Sequence, residues 1–123
     1  MATIELTEAK FGETITAPGI TLIDFWAEWC GPCRQFGPIF EAASERHEDI
    51  RFAKVDTEAE KELAGGVGIS SIPTLMVFRD GVLLYNRAGA LPSAALEELI
   101  GAVRDLDMDA IRAELANQQA SVE

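Results

Sequence analysis

One apolar run leads directly into a pair of cysteines. Ile20-Thr21-Leu22-Ile23-Asp24-Phe25-Trp26-Ala27 is followed by Glu28-Trp29-Cys30-Gly31-Pro32-Cys33. The run is apolar on both faces apart from Asp24, which is the pattern of a buried strand in a parallel sheet. The residues after it, from Cys30 to about His47, read as a helix, with Pro32 suited to its first turn. A buried strand feeding a helix confines the chain to folds in which helices pack on a sheet. It also places two thiols one helical turn apart at the helix start. These are the only two cysteines in 123 residues.

The rest of the chain extends this pattern. Thr3 to Leu6 is a possible short strand, and Thr7 is placed to cap a helix running to about Thr16, with Glu8 near its positive end. Pro18-Gly19 marks a turn. Pro38 lies too deep in the second helix to start it, so a kink is expected there. Arg51 to Val55 reads as the next strand. Thr57 and Glu60 have the spacing of a capping box for a helix ending near Gly65-Gly66. Pro73 precedes the apolar strand Thr74 to Phe78. Asp80-Gly81 is a two-residue hairpin signal leading into Val82 to Arg87, so these two strands should be antiparallel. Ser93 is expected to cap a final core helix whose Leu96, Leu99, Ile100 and Val103 recur at helical spacing. Alternating strands and helices ending in a hairpin and a helix predict an α/β domain with a mixed sheet. From Asp107 onward, Met108, Ile111 and Leu115 suggest a short extra helix, with Ala116 to Glu123 fraying.

Composition narrows the function. The chain carries 21 acidic against 10 basic residues, for a net charge of -11. Phosphate contacts need Lys and Arg, so DNA, RNA and anionic lipid are disfavoured partners. No apolar run approaches the length of a membrane span. Met1 to Lys10 lacks a charged-then-apolar leader pattern, so a cytoplasmic protein is expected. Thiols are usually kept reduced in that compartment, and a close pair there points to catalysis or metal binding rather than a structural staple.

A reactive cysteine needs a lowered pKa, and the free N–H groups and dipole at a helix start favour an anion. Cys30 holds that position. Cys33, one turn in, should be more buried and less reactive. Cys30 would therefore attack a partner's disulfide and Cys33 would resolve the mixed disulfide. Gly31 would admit a close partner chain, and Pro32 would stiffen the turn. Two other readings compete. Zinc needs three or four ligands, and the single His47 lies about four turns from Cys30, roughly 20 Å along the helix. An inert buried pair is the other. Asp24 is unusual as well, since a carboxylate in a buried strand is costly unless paired or functional. Burial should raise its pKa. It could accept the Cys33 proton, or serve structurally with Lys54 on a neighbouring strand as its partner. Pro73, opening a strand after Ile72, is a candidate for a cis peptide bond.

Taken together, these residues resemble the thioredoxin family. The run from Asp24 to Cys33 matches its active-site signature nearly residue for residue. Pro38, Lys54 with Asp56, Ile72-Pro73-Thr74, Asp80-Gly81 and Gly89 extend the match from about residue 3 to 106. The resemblance implies a thioredoxin fold, a central mixed sheet flanked by helices on both faces. It implies Cys30 as exposed nucleophile, Cys33 as resolving thiol, Asp24 as the buried carboxylate beside Cys33 and Lys54 as its tuning charge. It implies that Pro73 is cis against the cysteine pair and that the Ile72 backbone pairs with an extended client segment. Trp29, Gly31, Pro32, Ile72, Gly89 and Ala90 would form the docking surface. Electrons would come from NADPH through thioredoxin reductase, with no cofactor bound to this chain.

Two departures stand out. Arg34 occupies a position where lysine is common. Residues 107–123 exceed the usual family length and are taken as a helical extension to a domain of residues 1–106. Trp26 is expected in the core, Trp29 in contact with clients, and His47 in solvent. Glu58, Glu60 and Glu62 are expected on a solvated helix face. The leading function is a protein-disulfide reductase, expected to act as a monomer. A redox-independent binding module and a dithiol oxidase or isomerase are the alternatives.

Overall fold

The computed structural model describes residues 2–122, with side chains through residue 118. The strands are β1 (Thr3–Glu5), β2 (Ile20–Trp26), β3 (Arg51–Asp56), β4 (Thr74–Arg79) and β5 (Val82–Ala88). The helices are α1 (Glu8–Thr16), α2 (Gly31–Arg46), α3 (Lys61–Gly66), α4 (Ser93–Asp105) and α5 (Met108–Val122). The strands form one sheet in the order β1-β3-β2-β4-β5. β1, β3 and β2 are parallel, while β4 runs antiparallel to β2 and β5 antiparallel to β4. The mixed sheet expected from the sequence is thus present. The turn between β4 and β5 is built on Asp80 and Gly81, which take φ of 52° and 82°. This left-handed geometry matches the twist of a two-residue hairpin.

Strand alternation divides the core into two layers. Leu22, Phe52, Leu75 and Val77 face α2 and α4, where Phe36, Phe40, Leu96 and Ile100 cover them. Ile23, Phe25, Val55 and Met76 face the other way, against Phe11 of α1 and Leu63 of α3. Phe40 meets Phe36 and Phe52 at ring separations of 5.7 and 5.2 Å. Asp24 shares its face of β2 with Leu22, so its side chain lies in the layer beneath α2. In register beside it are Lys54 of β3 and Leu75 of β4.

Several local expectations are corrected by tertiary contacts. Thr7 sits at the N-cap of α1 but makes no side-chain cap bond. The Glu60 carboxylate instead accepts from the Glu8 N–H at 2.9 Å. Glu60 is therefore not simply a solvated residue. The proposed Thr57–Glu60 box does not form, because the Thr57 hydroxyl donates to the Trp26 carbonyl at 3.1 Å. α3 begins only at Lys61. Pro92 holds the N-cap position of α4 without a side-chain cap bond, and Ser93 is the first residue of the helix. His47 is not solvated: its ring lies 2.8 Å from Glu97 and 3.0 Å from Arg104. Pro38 removes the hydrogen bond to the Arg34 carbonyl, yet α2 continues to Arg46. α5 continues to Val122 rather than fraying from Ala116; Glu123 lies outside the described residues.

Candidate active site

β2 ends at Trp26, and a tight turn carries the chain through Glu28 and Trp29 to Cys30, the N-cap of α2. The Cys30 N–H closes this turn on the Ala27 carbonyl at 3.2 Å. The Cys30 sulfur accepts the Cys33 N–H, also at 3.2 Å. This is one of the helix-start donors that lack an intrahelical acceptor. Negative charge on Cys30 Sγ would be held by that N–H and by the positive end of a 16-residue helix. Cys30 and Cys33 are joined as a disulfide, so the structure represents the oxidised form.

The two cysteines are equally buried, each 4% exposed, so burial does not separate them as the sequence reading expected. What separates them is their environment. Cys30 Sγ lies 3.6 Å from the Ile72 carbonyl, on the side of the loop that precedes β4. Cys33 faces a cavity of about 300 Å³ lined also by Trp26, Arg34, Gly37 and Lys54. Ile72 precedes Pro73 through a cis peptide bond, as the resemblance implied. Pro73 is buried, and its carbonyl accepts the Gly89 N–H at 2.8 Å. Thr74 donates to the Ser71 carbonyl at 2.5 Å, closing the same loop from its other side.

Asp24 is fully buried, and among the described residues neither carboxylate oxygen has a hydrogen-bond partner. Burial raises its pKa from 3.8 to about 7, against the opposing charge of Lys54. Lys54 makes no ion pair with Asp24 within 4.0 Å among the described residues; its ammonium stands over the Trp26 ring, 4.7 Å from the centroid. Lys54 therefore acts on the Asp24 carboxyl by its charge at longer range rather than through a direct ion pair.

Trp29 is 66% exposed, the most open large apolar side chain of the site. It stands between two hollows. One is shared with Lys61, Ser70, Ser71 and Ile72, the other with Glu28, Arg34, Asp56 and Glu58. Gly31, Pro32, Gly89 and Ala90 are exposed as well. The expected site residues Asp24, Trp29, Cys30, Gly31, Pro32, Cys33, Lys54, Ile72, Pro73, Gly89 and Ala90 thus converge at one end of the sheet. His47, the one histidine, sits at the far end of α2 and cannot join the cysteines as a ligand. Sequence reasoning missed the bond from Arg34 to Glu28 and the Thr74–Ser71 tie. No residue spacing signals the first, which joins a side chain to a backbone carbonyl six residues away.

A family model described as Thioredoxin matches residues 2–102. The chain belongs to the thioredoxin family. It is 56% identical over 119 residues to a protein named putative thioredoxin 2 from Streptomyces coelicolor, covering 97% of this chain and 89% of that one. It is 39% identical over 101 residues to thioredoxin of Bacillus subtilis, covering 81% of this chain and 96% of that one. The fold resembles that of Plasmodium falciparum thioredoxin with a TM-score of 0.74 at 33% identity, over 81% of this chain and 98% of that one. In this chain the cysteine pair is the redox centre, and the protein is a thiol–disulfide oxidoreductase that reduces protein disulfides.

Proposed function

We propose that Cys30 is the attacking thiol, Cys33 the resolving thiol and Asp24 the proton acceptor for Cys33. The observation that carries this reading is the Cys33 N–H directed at Cys30 Sγ at the start of α2. The Cys30 thiolate attacks one sulfur of a client disulfide. The client S–S bond breaks, a mixed disulfide forms, and the departing client thiolate takes a proton. Cys33 then gives its proton to Asp24, through a water where the two do not touch, and attacks Cys30 Sγ. The Cys30–Cys33 bond forms and the second client thiolate leaves. Two electrons have passed from the cysteine pair to the client. An acceptor titrating near 7 suits this step, because it is available in both forms at neutral pH. Lys54 tunes Asp24 by its charge.

Trp29, Gly31, Pro32, Ile72, Pro73, Gly89 and Ala90 form the docking surface, and the client chain pairs with the Ile72 backbone as an added strand. The electrons that restore the dithiol come from NADPH through thioredoxin reductase, with no cofactor held by this chain. The protein works as a monomer in the cytoplasm. Among the described residues no helix is long and apolar enough to cross a membrane.

Cys33→Ser should trap client proteins as covalent adducts through Cys30, visible on non-reducing gels and released by dithiothreitol. Cys30→Ser should trap none. Adducts that form through Cys33 in the Cys30→Ser variant would reverse the assignment.

A further inference from the structure

Three hydrogen bonds fix the segment from Ala27 to Cys30 and join it to the first turn of α2. Cys30 N–H reaches the Ala27 carbonyl at 3.2 Å, and Arg34 N–H reaches the Cys30 carbonyl at 3.2 Å. The third is a side-chain bond, from Arg34 Nε to the Glu28 carbonyl at 3.0 Å. Glu28 and Arg34 also line both the hollow beside Trp29 and the cavity at Cys33 and Lys54. The Arg34–Glu28 contact is thus the wall between the docking side and the interior side of the site. Trp29, 66% exposed, follows Glu28 directly.

We propose that Arg34 is a positioning residue whose Nε–H, by holding the Glu28 carbonyl, sets the Trp29–Cys30 segment in the orientation that docks a client. Its position at the start of α2 makes charge the simpler role for Arg34, that of favouring the thiolate. The geometry separates the two. Nε is attached to Cδ, and so is the amide nitrogen of a glutamine. Arg34→Gln therefore keeps a donor at the same point and loses the charge. Arg34→Lys keeps the charge and has a methylene where the donor was.

The proposal rests on the reductase chemistry, which wild-type turnover of insulin in the same assay tests separately from Arg34. Both variants are exposed-site changes, and three readouts are taken on each. They are KM and kcat for insulin reduction, the Cys30 pKa from alkylation rate against pH, and quenching of Trp29 fluorescence in a Trp26→Phe background. A hydrogen bond of ordinary net strength corresponds to roughly three- to tenfold in binding. Arg34→Lys should raise KM by about that factor with kcat nearly unchanged, shift Trp29 quenching and leave the Cys30 pKa in place. Arg34→Gln should keep KM and quenching near wild type while the Cys30 pKa rises. A wild-type KM in Arg34→Lys, or an equal rise in KM in both variants, would overturn the proposal.

Discussion

Asp24 is the residue at which the proposed proton-transfer role and stability conflict. A carboxyl with a folded-state pKa of about 7 against an ordinary 3.8 holds its proton over a range where the unfolded chain has released it. Below about pH 4 both states are protonated and the site costs nothing electrostatically. Between pH 4 and 7 the native state binds more protons than the unfolded state, so stability falls as pH rises, and it levels off above 7. The rise corresponds to roughly 4 kcal/mol at about 1.4 kcal/mol per unit. Asp24→Asn should therefore raise stability by a few kcal/mol at pH 8 and by far less at pH 4, as read by urea titration at both values. The same variant should slow release of the mixed disulfide and flatten its pH dependence near 7. Equal stabilisation at both pH values would show that packing, not ionisation, sets the cost.

Among the elements, α2 and α4 are held from outside their own sequence. Arg79 of β4 donates to the carbonyls of Val103 and Leu106 at 2.8 and 3.1 Å, tying the end of α4 to the sheet. Arg104 in turn pairs with Asp49, whose carboxyl is held at about 2 chiefly by that hydrogen bond. Arg79 pairs with Ile20 at the start of β2, the end of the sheet away from the cysteines. Arg79→Met should therefore destabilise by about 1–3 kcal/mol without changing reductase kcat/KM. Urea unfolding and the insulin assay check the two halves of that statement. A parallel loss of activity in the folded variant would mean that α4 communicates with the site.

For the molecule as a whole, the question is what α5 adds. The thioredoxin family match stops at residue 102, and the Bacillus subtilis relative aligns over 101 residues with 96% of its own length. The Streptomyces coelicolor relative aligns over 97% of this chain and so shares most of α5. α5 meets the rest of the chain through Met108, which is 6% exposed, and through Arg112, 4.0 Å from Asp80 in the hairpin. Both contacts lie away from Cys30. A chain ending at Leu106 should keep kcat/KM within about twofold and lose roughly 2 kcal/mol, the scale of one buried methionine, since an exposed ion pair adds little. Loss of activity in a folded truncated chain would overturn the division at residue 106.

Much of this was legible in the sequence because the signals are local. The apolar run of β2, the Asp80-Gly81 hairpin and the spacing of Cys30 and Cys33 depend on periodicity, turn chemistry and helix geometry, which a few neighbouring residues determine. The cap of α1 was not legible, because its acceptor, Glu60, comes from a distant segment that only the folded sheet brings near. His47 was misread for the same reason, since Glu97 and Arg104 reach it from α4. Sequence placed Asp24 in a buried strand; only the packing of α2 over β2 and β3 decided that its oxygens would lack partners while Lys54 turned to Trp26. Local interactions set the elements and the identity of the reacting groups. Long-range packing set their solvation, their charge and their reach.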